Sequence, residues 1–269
     1  LYHAASATLN ELAKDAKYLG ANIGYICILH TWGSAMNYHP HIHTIVLGGG
    51  LDDENKWKET GGKFFLPYGV ISKVFRGKYL DELKSLWNDS KLKFHGTAEK
   101  YQNSYRFKEL LDKCYEKNWV TYCKETFNGA QSVINYLGKY THRIAISNHR
   151  IKSMTDTTVT YVVKDYKNEG CWKEKTISGE EFIRRFMMHV PPKRFVRIRH
   201  YGLLSCRNKR KKITHCRNLL GCKKYISTLK NLNAVEMIRV LYHIDVCKCS
   251  SCGGNMVSPR KDKYSSSFR

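Results

Sequence analysis

Apolar positions change their period several times along the chain, and each change predicts an element. Leu9, Leu12 and Leu19 recur at helical intervals within Ala4 to Leu19, whereas Asn22 to His30 has the β-rich composition of a strand. A strand-loop-strand unit follows. Its loop carries Trp32-Gly33-Ser34, its return strand runs from His41 to Leu47, and Gly48-Gly49-Gly50-Leu51-Asp52-Asp53 reads as the turn that ends it. Val70, Val74, Phe75, Leu83, Leu86 and Trp87 predict an amphipathic helix lying on a sheet, and a second helix is expected near Phe107 to Lys117. Trp119 to Cys123 reads as a core strand, and Asn128-Gly129 as a break before a helix that holds Tyr136 and Tyr140. Arg150 to Met154 and Thr157 to Val163 form a hairpin around Thr155-Asp156, with Trp172 to Ile177 as a further strand. Ser178-Gly-Glu-Glu181 is a capping box opening a helix with Phe182, Ile183, Phe186 and Met187 on its apolar side. There is no internal repeat, and the polar, Ser-rich tail from Ser258 is expected to be disordered. The class is α+β.

Composition narrows the field of functions. A chain of 269 residues with 42% hydrophobic content can bury a sizeable core. Its 46 Lys and Arg stand against 23 Asp and Glu, a net charge of +23 that exceeds what solubility requires and makes phosphate polyanions the expected partner. A basic ribosomal or chromatin protein that binds without chemistry is the plain alternative. No apolar run suits a membrane span and no signal peptide precedes the first helix, so the expected location is cytoplasmic, with no membrane partner. The chain begins at Leu1 rather than Met, as a piece of a longer protein would.

Chemistry enters with His39-Pro-His41-Ile-His43. In a strand, residues 39, 41 and 43 share one face, and imidazoles placed together are costly unless an ion or an acidic partner offsets them. His41 and His43 are thus candidate metal ligands, with His39 or, across the hairpin, His30 as the third. With added oxygen donors the ion would be Mg²⁺ or Mn²⁺, and open positions would let it polarise a phosphate. Tyrosine is common here, 18 in all, so a Tyr-x-x-x-Tyr pair alone says little. Tyr136-Leu-Gly-Lys139-Tyr140-Thr-His-Arg143 says more: both phenols fall on one helical face and each has a cation three positions on. Phenols have a pKa near 10, so as nucleophiles they benefit from cations such as Lys139 and Arg143 that also hold a phosphate in line.

Ten cysteines without a secretory signal read as reduced thiols or metal ligands. Cys27, Cys114, Cys123 and Cys171 lie in apolar or amphipathic stretches and suit plain packing. Cys247-Lys-Cys249-Ser-Ser-Cys252-Gly-Gly differs, because its spacing and glycines match half of a structural Zn²⁺ site; Cys222, Cys216, His243 and His215 are further candidate donors. Two basic stretches complete the survey. Lys193-Arg194-Phe-Val-Arg197-Ile-Arg199 alternates cations with apolar residues as a strand tracking a phosphate backbone would, and Arg207 with Lys209, Arg210, Lys211 and Lys212 adds a second candidate DNA-binding patch. A solvated face is the competing reading of either run.

Trp32-Gly33, His39 to His43, Gly48 to Leu51, Phe64-Phe65-Leu66-Pro67, Tyr136 to Asn148, Glu181 to Arg185 and Phe195 to Gly202 occur in an order that resembles the two-tyrosine HUH transposases of bacterial rolling-circle insertion sequences. The resemblance covers roughly Thr31 to Leu220. It implies an antiparallel sheet of HUH-endonuclease (ferredoxin-like or RRM-like) type with flanking helices, His41 and His43 on a central strand and the tyrosine helix beside them. It also implies a divalent metal, single-stranded element ends and target DNA as substrates, and a 5′-phosphotyrosyl intermediate with a free 3′-hydroxyl. Host replication machinery becomes a candidate partner, and the expected setting is the bacterial nucleoid. Such transposases often carry an N-terminal zinc-binding segment, which does not occur in this sequence. Domain limits expected on this basis are 1–190 for catalysis, 191–245 for a basic DNA-binding extension, and 246–269 for the Cys-rich knuckle and tail. Replication initiators and relaxases share the histidine chemistry and are the nearest alternatives, followed by a decayed, non-catalytic DNA-binding relative.

Overall fold

The first helix has no side-chain cap and owes its place to packing. Helix α1 (Tyr2–Lys14) buries Tyr2, Leu9, Leu12 and Ala13 against strand β1 (Asn22–Trp32). A 13-residue helix is marginal in water alone, so this contact holds it. It stops at Lys14, short of the expected Leu19, because the Asp15 backbone turns extended and its carboxylate accepts the Lys17 amide at 2.9 Å. The computed structural model describes residues 1–61, 66–123, 132–133, 136–138, 145–165, 168–207, 209–222, 229 and 231–256.

Strand β1 pairs with β2 (Tyr38–Leu51) in a hairpin, with β3 (Trp57–Glu59) beyond β2 and β7 (Ile198–Gly202) beyond β1, giving an antiparallel order β3-β2-β1-β7. Ile23, Tyr25 and Cys27 face α1 and α2 (Tyr68–Asn88) together with Leu29, Ile42 and Val46. Residues of the other parity, Ile28 and His30 on β1 and His41 and His43 on β2, face the opposite side. β2 lies inside the strand order, but β3 pairs with it only at Gly49–Leu51.

The glycine triplet is strand, not turn. Gly48 to Leu51 continue β2, and a Cβ added at Gly50 would stand 2.6 Å from Asn22 O, while one at Gly49 would stand 2.5 Å from Lys58 O. Close approach of the neighbouring backbones therefore demands glycine here. The reversal comes later, where the Asp52 carboxylate accepts the amides of Glu54 and Lys56 and Asn55 adopts φ +59.

A second antiparallel sheet, β4 (Ile151–Met154), β5 (Thr158–Asp165) and β6 (Cys171–Ser178), matches the predicted hairpin and strand. Its inner face, with Tyr161 and Val163, packs on Phe182 and Phe186 of α4 (Gly179–Met187) and on the loop after β1, where Met36 is fully buried. Ser178 caps α4 by accepting the Glu181 amide, but the Glu181 carboxylate goes to Arg184 and Arg185 rather than back to the cap. The second sheet fixes the loop that leads into the histidine strand. Arg150 donates to the carbonyls of Ser34 and Val162, Tyr161 donates to Ala35 O at 3.2 Å, and buried His189 bridges Thr31 Oγ1 and Met36 O, each at 3.1 Å.

Two further helices belong to this part of the chain. α3 (Ser104–Glu116), capped by Asn103, packs Phe107 and Leu111 on Leu80, with Trp87 stacked on Phe107 at 5.1 Å between ring centroids. The predicted core strand at Trp119–Cys123 is instead irregular. Trp119 packs in this cluster and donates to Cys114 O, Thr121 bonds Ser72 and Tyr68 O, and Val120 and Tyr122 are 88% and 83% exposed. The segment straps α2 and α3 by side-chain bonds, so it needs no ladder. α5 (Lys209–Leu219) is anchored by buried Cys216 against Leu51 and Leu203.

The chain divides into two compact units, Leu1–Gly221 and Cys222–Arg269. The second holds α6 (Ala234–Tyr242), opened by a reciprocal capping box between Asn233 and Glu236, and a hairpin across Lys248 and Asn255. The architecture is thus mixed α+β with antiparallel sheets and flanking helices.

Candidate metal centre and nucleophile

Hairpin register assembles the site. His30 lies directly opposite His41, and Ile28 opposite His43, so the three imidazoles meet on the sheet face turned away from α1 and α2. Their ligand nitrogens all lie within 4.8 Å of one another. Nε2 of His41 and Nε2 of His43 are 3.1 Å apart, and the His30 ring stands 4.4 Å from that of His43 between centroids. His30 is only 3% exposed and stacks on Trp32 at 4.5 Å.

Hydrogen bonds orient the rings. His41 Nδ1 lies 2.8 Å from the His39 carbonyl, which can only accept, so Nδ1 carries the proton and a neutral ring presents its lone pair at Nε2. Burial pushes the His41 pKa down, and burial together with His30 and His41 pushes that of His43 down to about 4. These two rings are therefore neutral at pH 7, the form that binds metal. Nitrogens about 3 Å apart suit adjacent ligands of an ion about 2.1 Å from each. The donor set fits a divalent cation held by His30, His41 and His43. His39 is exposed and contributes its carbonyl, while His30 takes the place on the sheet face that strand parity alone assigned to residue 39.

Tyr136 reaches this centre. Its hydroxyl lies 2.8 Å from His43 Nδ1, and the side chain, on the helical residues 136–138, is half-buried. Lys139, Tyr140 and Arg143 lie outside the described residues, as do Phe64, Phe65 and the Asn128-Gly129 break.

The basic residues divide between surfaces. Arg199 pairs in register with Cys27 and lies over the Tyr2 ring at 4.1 Å, on the α1 side of the sheet, and Arg197 lies over Trp32 at 6.0 Å. The predicted strand is short: Arg194 turns with φ +69, the Phe195 amide bonds Pro192 O, and β7 begins only at Ile198. Lys193 and Arg194 are exposed in that turn. On the histidine side, His200 pairs with Ile26, and its pKa is lowered by burial and by nearby Lys209. Lys209, Arg210 and Lys211 are exposed at the start of α5, after exposed Arg207, whereas Lys212 is half-buried. Its even parity beside Ile198 on β7 sets His200 on the histidine side.

Known proteins resemble this chain in sequence. The model of a family described as "Putative transposase" matches residues 24–212. A protein of Sinorhizobium fredii, "Putative transposase y4qJ", is 40% identical over 222 residues, covering 82% of this chain and 56% of the relative. The "Transposase for insertion sequence element IS801" of Pseudomonas savastanoi pv. phaseolicola is 27% identical over 251 residues, covering 92% of this chain and 59% of the relative. The chain thus spans somewhat over half the length of these curated relatives. No solved structure matches it.

Proposed function

The chain belongs to the family described as "Putative transposase", and from that premise we propose that it nicks and rejoins single-stranded DNA through a covalent bond to tyrosine. One observation carries the reading: a phenol, Tyr136, stands 2.8 Å from a ring of the three-histidine cluster. A nucleophile and the group that activates its target must meet at one phosphate, and this arrangement meets that need.

In the proposed step, the Tyr136 phenol loses its proton and its oxygen attacks phosphorus in line. The O–P bond to tyrosine forms as the bond to the 3′ oxygen breaks. That oxygen takes up a proton, leaving a free 3′-hydroxyl and a 5′-phosphotyrosine. Rejoining reverses these events with a 3′-hydroxyl as nucleophile. His30, His41 and His43 would hold a divalent ion, which when bound supplies Lewis acidity toward a phosphate oxygen. His43 orients the phenol through Nδ1. Tyr140 is proposed as the second nucleophile, with Lys139 and Arg143 as its cations. Exposed Lys193, Arg194, Arg207, Lys209, Arg210 and Lys211 supply sequence-independent affinity for the phosphate backbone.

Incubation of the protein with a labelled single-stranded oligonucleotide of an element end and Mn²⁺, resolved on a denaturing gel, tests the reading. The expected product is a protein–DNA adduct that chelator prevents. Cleavage that leaves no protein-linked DNA would refute the tyrosine mechanism.

A further inference from the structure

The histidine centre uses none of the cysteines, yet three of them crowd one tight hairpin of the second unit. Lys248 and Asn255 form its bridge. The Cys249 amide donates to Gly254 O and the Gly253 amide to Cys249 O, both at 2.9 Å, and the Met256 amide donates to Cys247 O at 2.7 Å. Gly253 closes the turn with φ +70, a conformation that side-chain-bearing residues avoid. The fold of this loop directs amides at a sulfur: backbone N–H groups of Cys252 and Ser251 bond the Cys249 thiol, which also neighbours the Cys252 side chain.

Packing offers no reason for these thiols. A free cysteine is usually buried, but Cys252 and Cys247 are exposed and Cys249 is only half-covered. The unit around them is short, and its described residues form no core: of those in 222–269 none is buried, and α6 buries no side chain. Units below about 70 residues rarely gain more than a few kcal/mol from packing and rely on staples such as metals. Amide N–H groups aimed at one sulfur suit a metal-bound sulfur and have no part in a disulfide.

We propose that the Cys249–Cys252 hairpin is a zinc knuckle, two thiolates of a structural Zn²⁺ site that holds the Cys222–Arg269 unit folded. Each thiol releases its proton as its sulfur bonds the ion. Among the described residues no third cysteine or histidine donor completes a cluster with these two sulfurs, so the remaining ligands close in on binding. Cys247 and His243, which share the segment leading into the hairpin, are the donors assigned to that role. The inference is independent of the proposed DNA chemistry.

Co²⁺ added to the reduced, metal-free full chain tests it. Only sulfur ligands give thiolate-to-cobalt charge-transfer bands, so the three-histidine cluster cannot mimic the signal. The wild type should show these bands with tetrahedral d–d absorption, and Zn²⁺ should displace the cobalt. Cys249→Ser and Cys252→Ser should each abolish the charge transfer, and His41→Ala should leave it intact. Elemental analysis of the chain purified without chelator should find zinc that the cysteine variants lack. Absence of charge transfer in the wild type, its survival in both serine variants, or a Cys249–Cys252 disulfide in freshly alkylated protein would overturn the proposal. Because the wild-type spectrum decides by itself, a variant that fails to fold does not shelter the idea.

Discussion

His43 touches two partners through its two nitrogens: Nδ1 lies 2.8 Å from the Tyr136 hydroxyl, and Nε2 lies 3.1 Å from Nε2 of His41. One imidazole thus joins the candidate nucleophile to the candidate metal ligands. Without an ion, the phenol can donate to Nδ1 while Nε2–H donates to the lone pair of His41. Were the Nε2 lone pair given to an ion, the His43 proton would sit on Nδ1 and the phenol oxygen would accept that bond, leaving the phenol's own proton to depart.

The first prediction follows from which histidines share the face. His30→Ala, His41→Ala and His43→Ala should each weaken Mn²⁺ binding by about tenfold or more and remove adduct formation, while His39→Ala, which keeps the backbone carbonyl that His41 bonds, should change affinity little. Calorimetric titration with Mn²⁺ checks this. Non-specific DNA binding should survive in all four variants, since distributed Lys and Arg supply it. A loss of Mn²⁺ affinity in His39→Ala equal to that in His30→Ala would assign the third ligand wrongly.

Donor chemistry gives a second prediction. Three imidazole nitrogens suit Mn²⁺ better than Mg²⁺, which prefers oxygen ligands and sheds its water reluctantly. The protein should therefore bind Mn²⁺ more tightly than Mg²⁺, and cleavage should saturate at lower Mn²⁺ concentration. Equal half-saturation by the two ions would contradict this.

Much of this centre was legible in the sequence, and the gaps have physical causes. Strand parity placed His41 and His43 on one face, but parity within one strand cannot choose between His39 and His30; only the register of β1 on β2 sets His30 opposite His41. The glycine triplet signalled a turn because glycine serves turns and close backbone contacts alike, and the sequence does not show that Asn22 and Lys58 crowd it. Trp119 to Cys123 has strand composition, yet its bonds go to side chains and carbonyls on α2 and α3, a choice made by tertiary packing. The β4–β5 hairpin and the Ser178 N-cap were legible because both depend on neighbours a few residues apart, but the predicted capping box is only half made, since the Glu181 carboxylate turns to Arg184 and Arg185.

A third prediction concerns acid. His43 has its pKa lowered to about 4 in the folded chain, against an ordinary 6.5, chiefly by burial. Between these values the unfolded chain binds more protons than the folded one, so stability rises with pH across that window. The contribution is fully present above 6.5 and is lost as pH falls toward 4. Thermal melting of metal-free protein should show a decline over that range, and His43→Gln, which cannot protonate, should flatten it. An identical pH profile in the variant would remove His43 as the cause.

The last prediction separates the two phenols. Tyr136 has a defined partner in His43, so Tyr136→Phe should lose adduct formation at that position and also alter Mn²⁺ affinity modestly, because the ring it orients is a candidate ligand. Tyr140 lies four positions on, one helical turn away if the helix continues, and should reach the same phosphate. Each single Phe variant is therefore expected to keep a covalent adduct through the remaining tyrosine while losing complete strand transfer, which needs both. The double variant should bind DNA and form no adduct. Peptide mass spectrometry after nuclease digestion assigns the linked residue: DNA on Tyr140 in Tyr136→Phe, and on Tyr136 in Tyr140→Phe. An adduct persisting in the double variant would place the nucleophile elsewhere and leave the 2.8 Å contact between Tyr136 and His43 a structural bond.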